Sequence, residues 1–260
     1  MSEHDVNTER LAQEIAEWHD RLLEAIEGTR FEHVRVLAQC ASTQDVAKGL
    51  EPSFVVTTGM QYAGRGRPGK EWHDPGAGGV AMSLVVVPQS AARLSTASVL
   101  AVLDVVDQLA IHPGALGAKF PNDVVDSSGR KLAGVLIEGD ARQSVIGIGM
   151  NVRKTTPPAF AGAVSLEELS IDIGRIEVME VLLRTLDRRL EAADSELAHE
   201  FDSRHLLLGG EVRISWGHET VEGVLRAANP FDQLVVESLD GVHAIPAAQA
   251  TIEQWSLPAH

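Results

Sequence analysis

What most restricts the fold of this chain is a change of pattern near His205. Ahead of it, helical and strand periodicities alternate over long stretches. Behind it, only short apolar runs occur, separated by turn-forming residues. Residues 8–27 carry Leu11, Ile15, Trp18, Leu22, Leu23 and Ile26 at helical spacing and stop at Gly28, which predicts an amphipathic helix. Residues 34–59 read as strand, helix and strand. GGVAMSLVVVP is a buried strand stopped by Pro88, and residues 95–110 are a helix with Ser95 as its cap. A strand running into AKFPND, the polar turn DSSGRK, the strands KLAGVLIEGD and SVIGIGMNV, and a charged helical stretch over 174–201 complete this part. From Gly209-Gly210 onward, EVRISW, HETVEGVLRA, QLVVESLD and GVHAIPA are four short strands of a small barrel. The expected fold class is α+β: a mixed sheet flanked by helices over residues 1–205, then a β-barrel domain over 206–260.

Composition removes several function classes. A net charge of -15 repels a nucleic acid duplex, so no nucleic acid partner is expected. No window approaches a membrane span, and the polar, acidic start MSEHDVNTER lacks a secretory pattern; a cytoplasmic protein with no membrane partner follows. A single cysteine, Cys40, excludes an internal disulfide and is expected to be a buried small hydrophobe. The ten histidines show no metal-ligand spacing, so no metal site is assigned.

Against this acidic background, residues 61–72, QYAGRGRPGKEW, concentrate Gly64, Gly66, Gly69, Arg65, Arg67 and Lys70. The glycines match GxGxxG and follow a strand, but KEWHDPGAGG cannot begin the helix that a dinucleotide site requires. The same residues fit GxxxxGK, yet Glu71 stands where a triphosphatase loop needs Ser or Thr. What remains is either an exposed basic turn or a flexible loop of N–H and guanidinium donors suited to a phosphate-bearing ligand. Three later motifs favour the ligand. In KFPND (Lys119–Asp123) and KLAGVL (Lys131–Leu136), Lys131 opens an apolar strand, where a buried ammonium is costly unless it meets an anion; the alternative is a solvated strand end. GIGMN (Gly147–Asn151) is a glycine-punctuated strand ending in an amide, against which a ligand could lie.

Taken in order, these four segments resemble the biotin protein ligases, whose hallmarks are similar to GRGRxGRxW, KWPND, KLxGxL and GIGxN, and the resemblance spans roughly residues 30–258. It implies a class II synthetase-like catalytic domain, an SH3-like C-terminal domain, and ATP-dependent transfer of biotin to a lysine of a biotin carboxyl carrier domain of an acyl-CoA or pyruvate carboxylase, with ATP and Mg²⁺ as cofactors. It further implies that Ser42, Thr43 and Gln61 hold the ureido ring. Gly64, Arg65, Gly66, Lys131 and Gly134 complete the biotin site, and Arg67, Lys70, Trp72, Lys119, Asn122 and Asn151 bind the nucleotide. Lys131, Arg67 and Asp123 form the catalytic set. Gln44, Lys70 and Phe120 depart from the family's Asn, Arg and Trp. Only about thirty residues precede the core, so a repressor function is not expected. A homodimer is compatible with the sequence, though no feature selects its interface. A lipoate-type ligase and a non-catalytic biotin-binding protein are the rival readings.

Overall fold

The structure is a computed structural model that describes residues 13–66, 72, 78–109, 116–155 and 162–258. It contains two sheets. The first has seven strands in the order β1-β2-β3-β7-β6-β5-β4: β1 (His33–Leu37), β2 (Phe54–Thr58), β3 (Gly79–Val86), β4 (Leu116–Lys119), β5 (Asp123–Asp126), β6 (Lys131–Gly139) and β7 (Ser144–Asn151). Only β1 and β2 run parallel; the remaining pairs are antiparallel, so the sheet is mixed as expected. The second sheet, entirely antiparallel, has five strands: β8 (Glu211–Trp216), β9 (Glu219–Ala228), β10 (Gln233–Ser238), β11 (Gly241–Pro246) and β12 (Thr251–Trp255). Four of these were legible as alternating runs. TIEQW, exposed or half-exposed throughout, carries too weak an alternation to announce β12.

The two faces of the first sheet do different work. On one, the helices α1 (Trp18–Ala25), α3 (Ala91–Leu109) and α4 (Arg175–Arg189) bury the main core, which takes Val55, Met82, Leu84 and Ile146 from the strands. Strand side chains alternate, so Val56, Val85 and Val145 point to the opposite face. There they meet Ala47 of the short helix α2 (Thr43–Ala47) in a small separate cluster. Among the described residues that second face carries no helix beyond α2, and this leaves space for a ligand.

Several expectations need correction. Ser95 lies inside α3 rather than at its start, and its hydroxyl donates to the Pro121 carbonyl; Ser90 caps instead, accepting from Arg93 N at 3.2 Å. Ala91 and Ala92 begin the helix one turn ahead of the stretch 95–110 that the periodicity predicts. The stretch 174–201 is two helices, α4 and α5 (Asp194–Ser203), separated at Leu190–Ala193. Cys40 is half-buried, not buried, at an isolated bridge to Gln61. The start of the N-terminal helix lies outside the described residues, and Gly28, at φ 76°, ends the segment where a left-handed residue is needed.

His205 is buried behind β4, and burial foremost, with the nearby Lys119 charge second, pushes its imidazole down to about 3. The unfolded chain binds a proton near pH 6.5 and the folded chain does not. Stability from this group is therefore full above about pH 6.5 and declines as the pH falls towards 3, by at most about 1.4 kcal/mol per pH unit. Urea denaturation between pH 7 and 5, above the range where carboxylates titrate, is expected to show that decline. A His205→Gln variant is expected to flatten it.

Candidate active site

On the open face of the first sheet, two rows of register partners form the floor of a cavity of about 480 Å³. One row runs Ser83, Gly147, Leu136; the other runs Ala81, Gly149, Gly134, Asp123. The middle of each row is small, and that is what hollows the surface. A Cβ at Gly147 would sit 2.6 Å from Gln44 Oε1, one at Gly149 would lie 2.4 Å from the Trp72 ring, and one at Gly134 would lie 2.7 Å from Lys131 Nζ. Each glycine thus makes room for a particular side chain.

One end of the cavity is a buried polar wall. Ser42 takes an extended conformation as the N-cap of α2, its Oγ accepting from Gln44 N. Thr43 N and Oγ1 donate to Gln61 Oε1 at 2.7 and 3.1 Å, and the Thr43 and Ser83 hydroxyls lie 2.9 Å apart. Ser83 donates to Gln44 Oε1, while Gln44 Nε2 donates to the Val145 carbonyl. These residues are nearly inaccessible, so unpaired groups among them would be costly, and the chain of bonds locks their orientation. Such a wall presents fixed donors and acceptors to a small, uncharged polar head group.

The other end is ionic. Lys131, at the start of β6, reaches across Gly134 to Asp123, with Nζ and Oδ1 2.6 Å apart. The contact is an ion pair that falls outside hydrogen-bond geometry. Asn122 beside it exchanges bonds with Val135, donating from Nδ2 and accepting Val135 N from its main-chain carbonyl. Lys119 lies over the Trp255 ring, 4.6 Å from its centroid, and Thr251 and Ile252 of the second sheet close one side of the cavity. Trp72 lies over Gly149, with its indole 5.9 Å from Lys131 Nζ. A half-buried cation here suits an anionic ligand.

The structure therefore gathers Ser42, Thr43, Gln61, Arg65 and Gly66 from one part of the chain with Lys119, Asn122, Asp123, Lys131 and Gly134 from another, and Trp72 between them. Three expected residues stand differently. The Arg65 guanidinium is held by Asp45 and by Glu138, the latter at 2.6 Å, at the rim. Asn151 lies outside the cavity lining, its amide donating to the Lys131 and Val164 carbonyls. Gly64 also lies outside the lining, backing the Trp72 main chain. Arg67 and Lys70 fall outside the described residues. Ser83 and Gln44 were not read as site residues. Ser83 had a visible signal, as the only hydroxyl in the wholly buried strand GVAMSLVV. Thr251 and Ile252 had none, because β12 itself was missed.

The fit between Gln44 and Gly147 is testable by stability alone. Gly147→Ala is expected to destabilise the fold by about 1–3 kcal/mol through overpacking against the amide, and Gln44→Asn, one methylene shorter, to recover part of that loss. Urea denaturation of the two single variants and the double variant measures the coupling; additive effects would contradict the contact.

Residues 34–153, which supply most of this mixed sheet, match the Biotin/lipoate A/B protein ligase family. A biotin–[acetyl-CoA-carboxylase] ligase of Mycobacterium tuberculosis is 34% identical over 84% of this chain and 84% of its own length. Its counterpart in Paracoccus denitrificans is 31% identical over 80% and 94%. A biotin protein ligase of Aquifex aeolicus, solved in complex with biotin and ATP, superimposes with a TM-score of 0.75 at 24% identity, covering 86% of this chain and all of that one. The chain belongs to the biotin protein ligases.

Proposed function

We propose that this biotin protein ligase activates biotin as biotinyl-5'-AMP and passes the biotinyl group to one lysine of a biotin carboxyl carrier domain. The observation that carries the reading is the two-ended cavity: a locked hydrogen-bonding wall at Ser42, Thr43, Gln61 and Ser83, and the Lys131 ammonium across Gly134. The ureido ring would lie against the wall and the carboxylate beside the ammonium. In the first step a carboxylate oxygen bonds to the α-phosphorus of ATP and pyrophosphate leaves with the electron pair. Two anions must meet, and Lys131 offsets their repulsion. Arg67 and Lys70 would add charge from the glycine-rich loop, and Asp123 holds the Lys131 ammonium in place. Trp72, Lys119, Asn122 and Asn151 are the proposed nucleotide-side residues. In the second step the neutral ε-amine of the carrier lysine attacks the anhydride carbonyl, a C–N bond forms, AMP departs, and the amine loses a proton. The Gly64, Arg65 and Gly66 stretch would shield the anhydride from water in between.

Among the described residues no three His, Cys, Asp or Glu side chains gather for a metal, and Asp123 is the sole carboxylate lining the cavity. That fits a Mg²⁺ carried on the phosphates of ATP rather than in a protein cage; bound there, it would neutralise phosphate charge. We assign catalysis to residues 1–205, with residues 206–260 as a separate domain that closes the cavity through Thr251 and Ile252. The place of action would be the cytoplasm. No helix among the described residues is long and apolar enough to cross a membrane.

Incubation with ATP, Mg²⁺ and either biotin or lipoate, followed by mass spectrometry, tests this. Biotinyl-AMP is expected. Lipoyl-AMP alone would reassign the substrate, and no adenylate would leave a binding protein without turnover.

A further inference from the structure

Two of the nucleotide-side residues in this reading, Lys119 and Asn122, sit on a single turn, Lys119 to Asp123, between β4 and β5, and the turn is held from behind by a segment 85 positions away in the sequence. Ala118 N donates to the Arg204 carbonyl at 2.8 Å, and Leu206 N donates to the Ala118 carbonyl at 2.9 Å, so residues 204–206 extend the sheet edge by one bridge. The approach is close enough that a Cβ at Gly117 would sit 2.4 Å from Leu206 Cγ. Between the two main-chain bonds the imidazole of His205 turns inward, and Phe120 N donates to its Nε2 at 2.9 Å. Leu207 N approaches the other ring nitrogen at 3.3 Å. A neutral imidazole has one acceptor nitrogen, and the shorter contact assigns the lone pair to Nε2 and the proton to Nδ1. The ring is buried against Phe201, with Lys119 as the charge that acts on it, and burial keeps it neutral.

We propose that His205 is a positioning residue for the nucleotide half of the reaction: by accepting the Phe120 N–H it fixes the turn that carries Lys119 and Asn122. It touches neither proposed substrate, and it acts through main chain that lines the cavity. The polar wall at Ser42, Thr43 and Gln61 is attached to other strands and should not feel its loss. This inference rests on the ligase reading given above.

The test compares His205→Leu, which removes the acceptor, with His205→Gln, whose Oε1 can reach the same N–H. For His205→Leu, the KM for ATP is expected to rise about tenfold and kcat of adenylation to fall, the loss of one buried hydrogen bond, while the Kd for biotin by calorimetry stays within about twofold. His205→Gln is expected to stay within about threefold of the parent in all three. Deuterium uptake in a peptide covering 116–126 should accelerate in the leucine variant and not in the glutamine variant, and it reads the anchoring without any ligand. Should His205→Leu fail to fold, His205→Asn, whose shorter amide cannot span the gap, takes its place. Unchanged uptake together with unchanged ATP parameters would overturn the proposal, as would biotin and ATP constants that move together, or a glutamine variant as impaired as the leucine one. Parent protein that binds no biotin would sink the ligase reading instead, leaving the uptake comparison to decide the anchoring.

Discussion

Lys131→Ala is expected to lower the rate of biotinyl-AMP formation by about 10²- to 10³-fold, the magnitude of losing one preorganised electrostatic partner at the reacting centre. The ammonium lies 2.6 Å from Asp123 in a gap that exists only because residue 134 has no side chain. Removing it leaves Asp123 as an unpaired carboxylate near two further anions, so the loss combines absent attraction with added repulsion. Both side chains are partly solvated, which limits the cost to the fold, and circular dichroism of the variant should match the parent. Lys131→Ala/Asp123→Asn should recover some activity by removing the repulsion. Pyrophosphate release in single turnovers measures both; undiminished release in Lys131→Ala would mean that the catalytic cation lies elsewhere.

Thr43→Val should weaken biotin binding by about 10- to 100-fold while leaving the chemical step, once biotin is saturating, nearly unchanged. Valine keeps the volume but deletes the hydroxyl that lies 2.9 Å from Ser83 and 3.1 Å from Gln61 Oε1. The relay from Gln61 through Ser83 to Gln44 is then broken in the middle, and Gln61 Oε1 loses one donor while the bond from Thr43 N remains. Isothermal calorimetry with biotin gives the number. A fall in kcat without a change in Kd would place Thr43 at the reacting end instead.

Much of this arrangement was legible in the chain because its signals are local. GGVAMSLVVVP, buried from Gly78 to Val86, announces a central strand, and KLAGVL announces one that starts with a charge. What periodicity could not give was the pairing of strands, and the cavity is a property of pairing. Gly134, Gly147 and Gly149 become a hollow only because register places 134 beside 149 and 147 beside Ser83. His205 was visible only as the point where the pattern changes, since its partner, Phe120 N, is distant in sequence. Ser95 was misread because an isolated Ser before an apolar run has the same local signature whether it caps a helix or, as here, bonds to a neighbouring turn from inside one.

The central claim is that one cavity holds the vitamin's ring at the Thr43 wall and its carboxylate at Lys131. A crystal structure with biotin and a non-hydrolysable ATP analogue tests it most directly. The ureido group is expected within hydrogen-bond distance of Ser42, Thr43 and Gln61, and a carboxylate oxygen about 3 Å from Lys131 Nζ, with the α-phosphate alongside. Biotin bound in the reverse sense, or the two ligands in separate cavities, would contradict it.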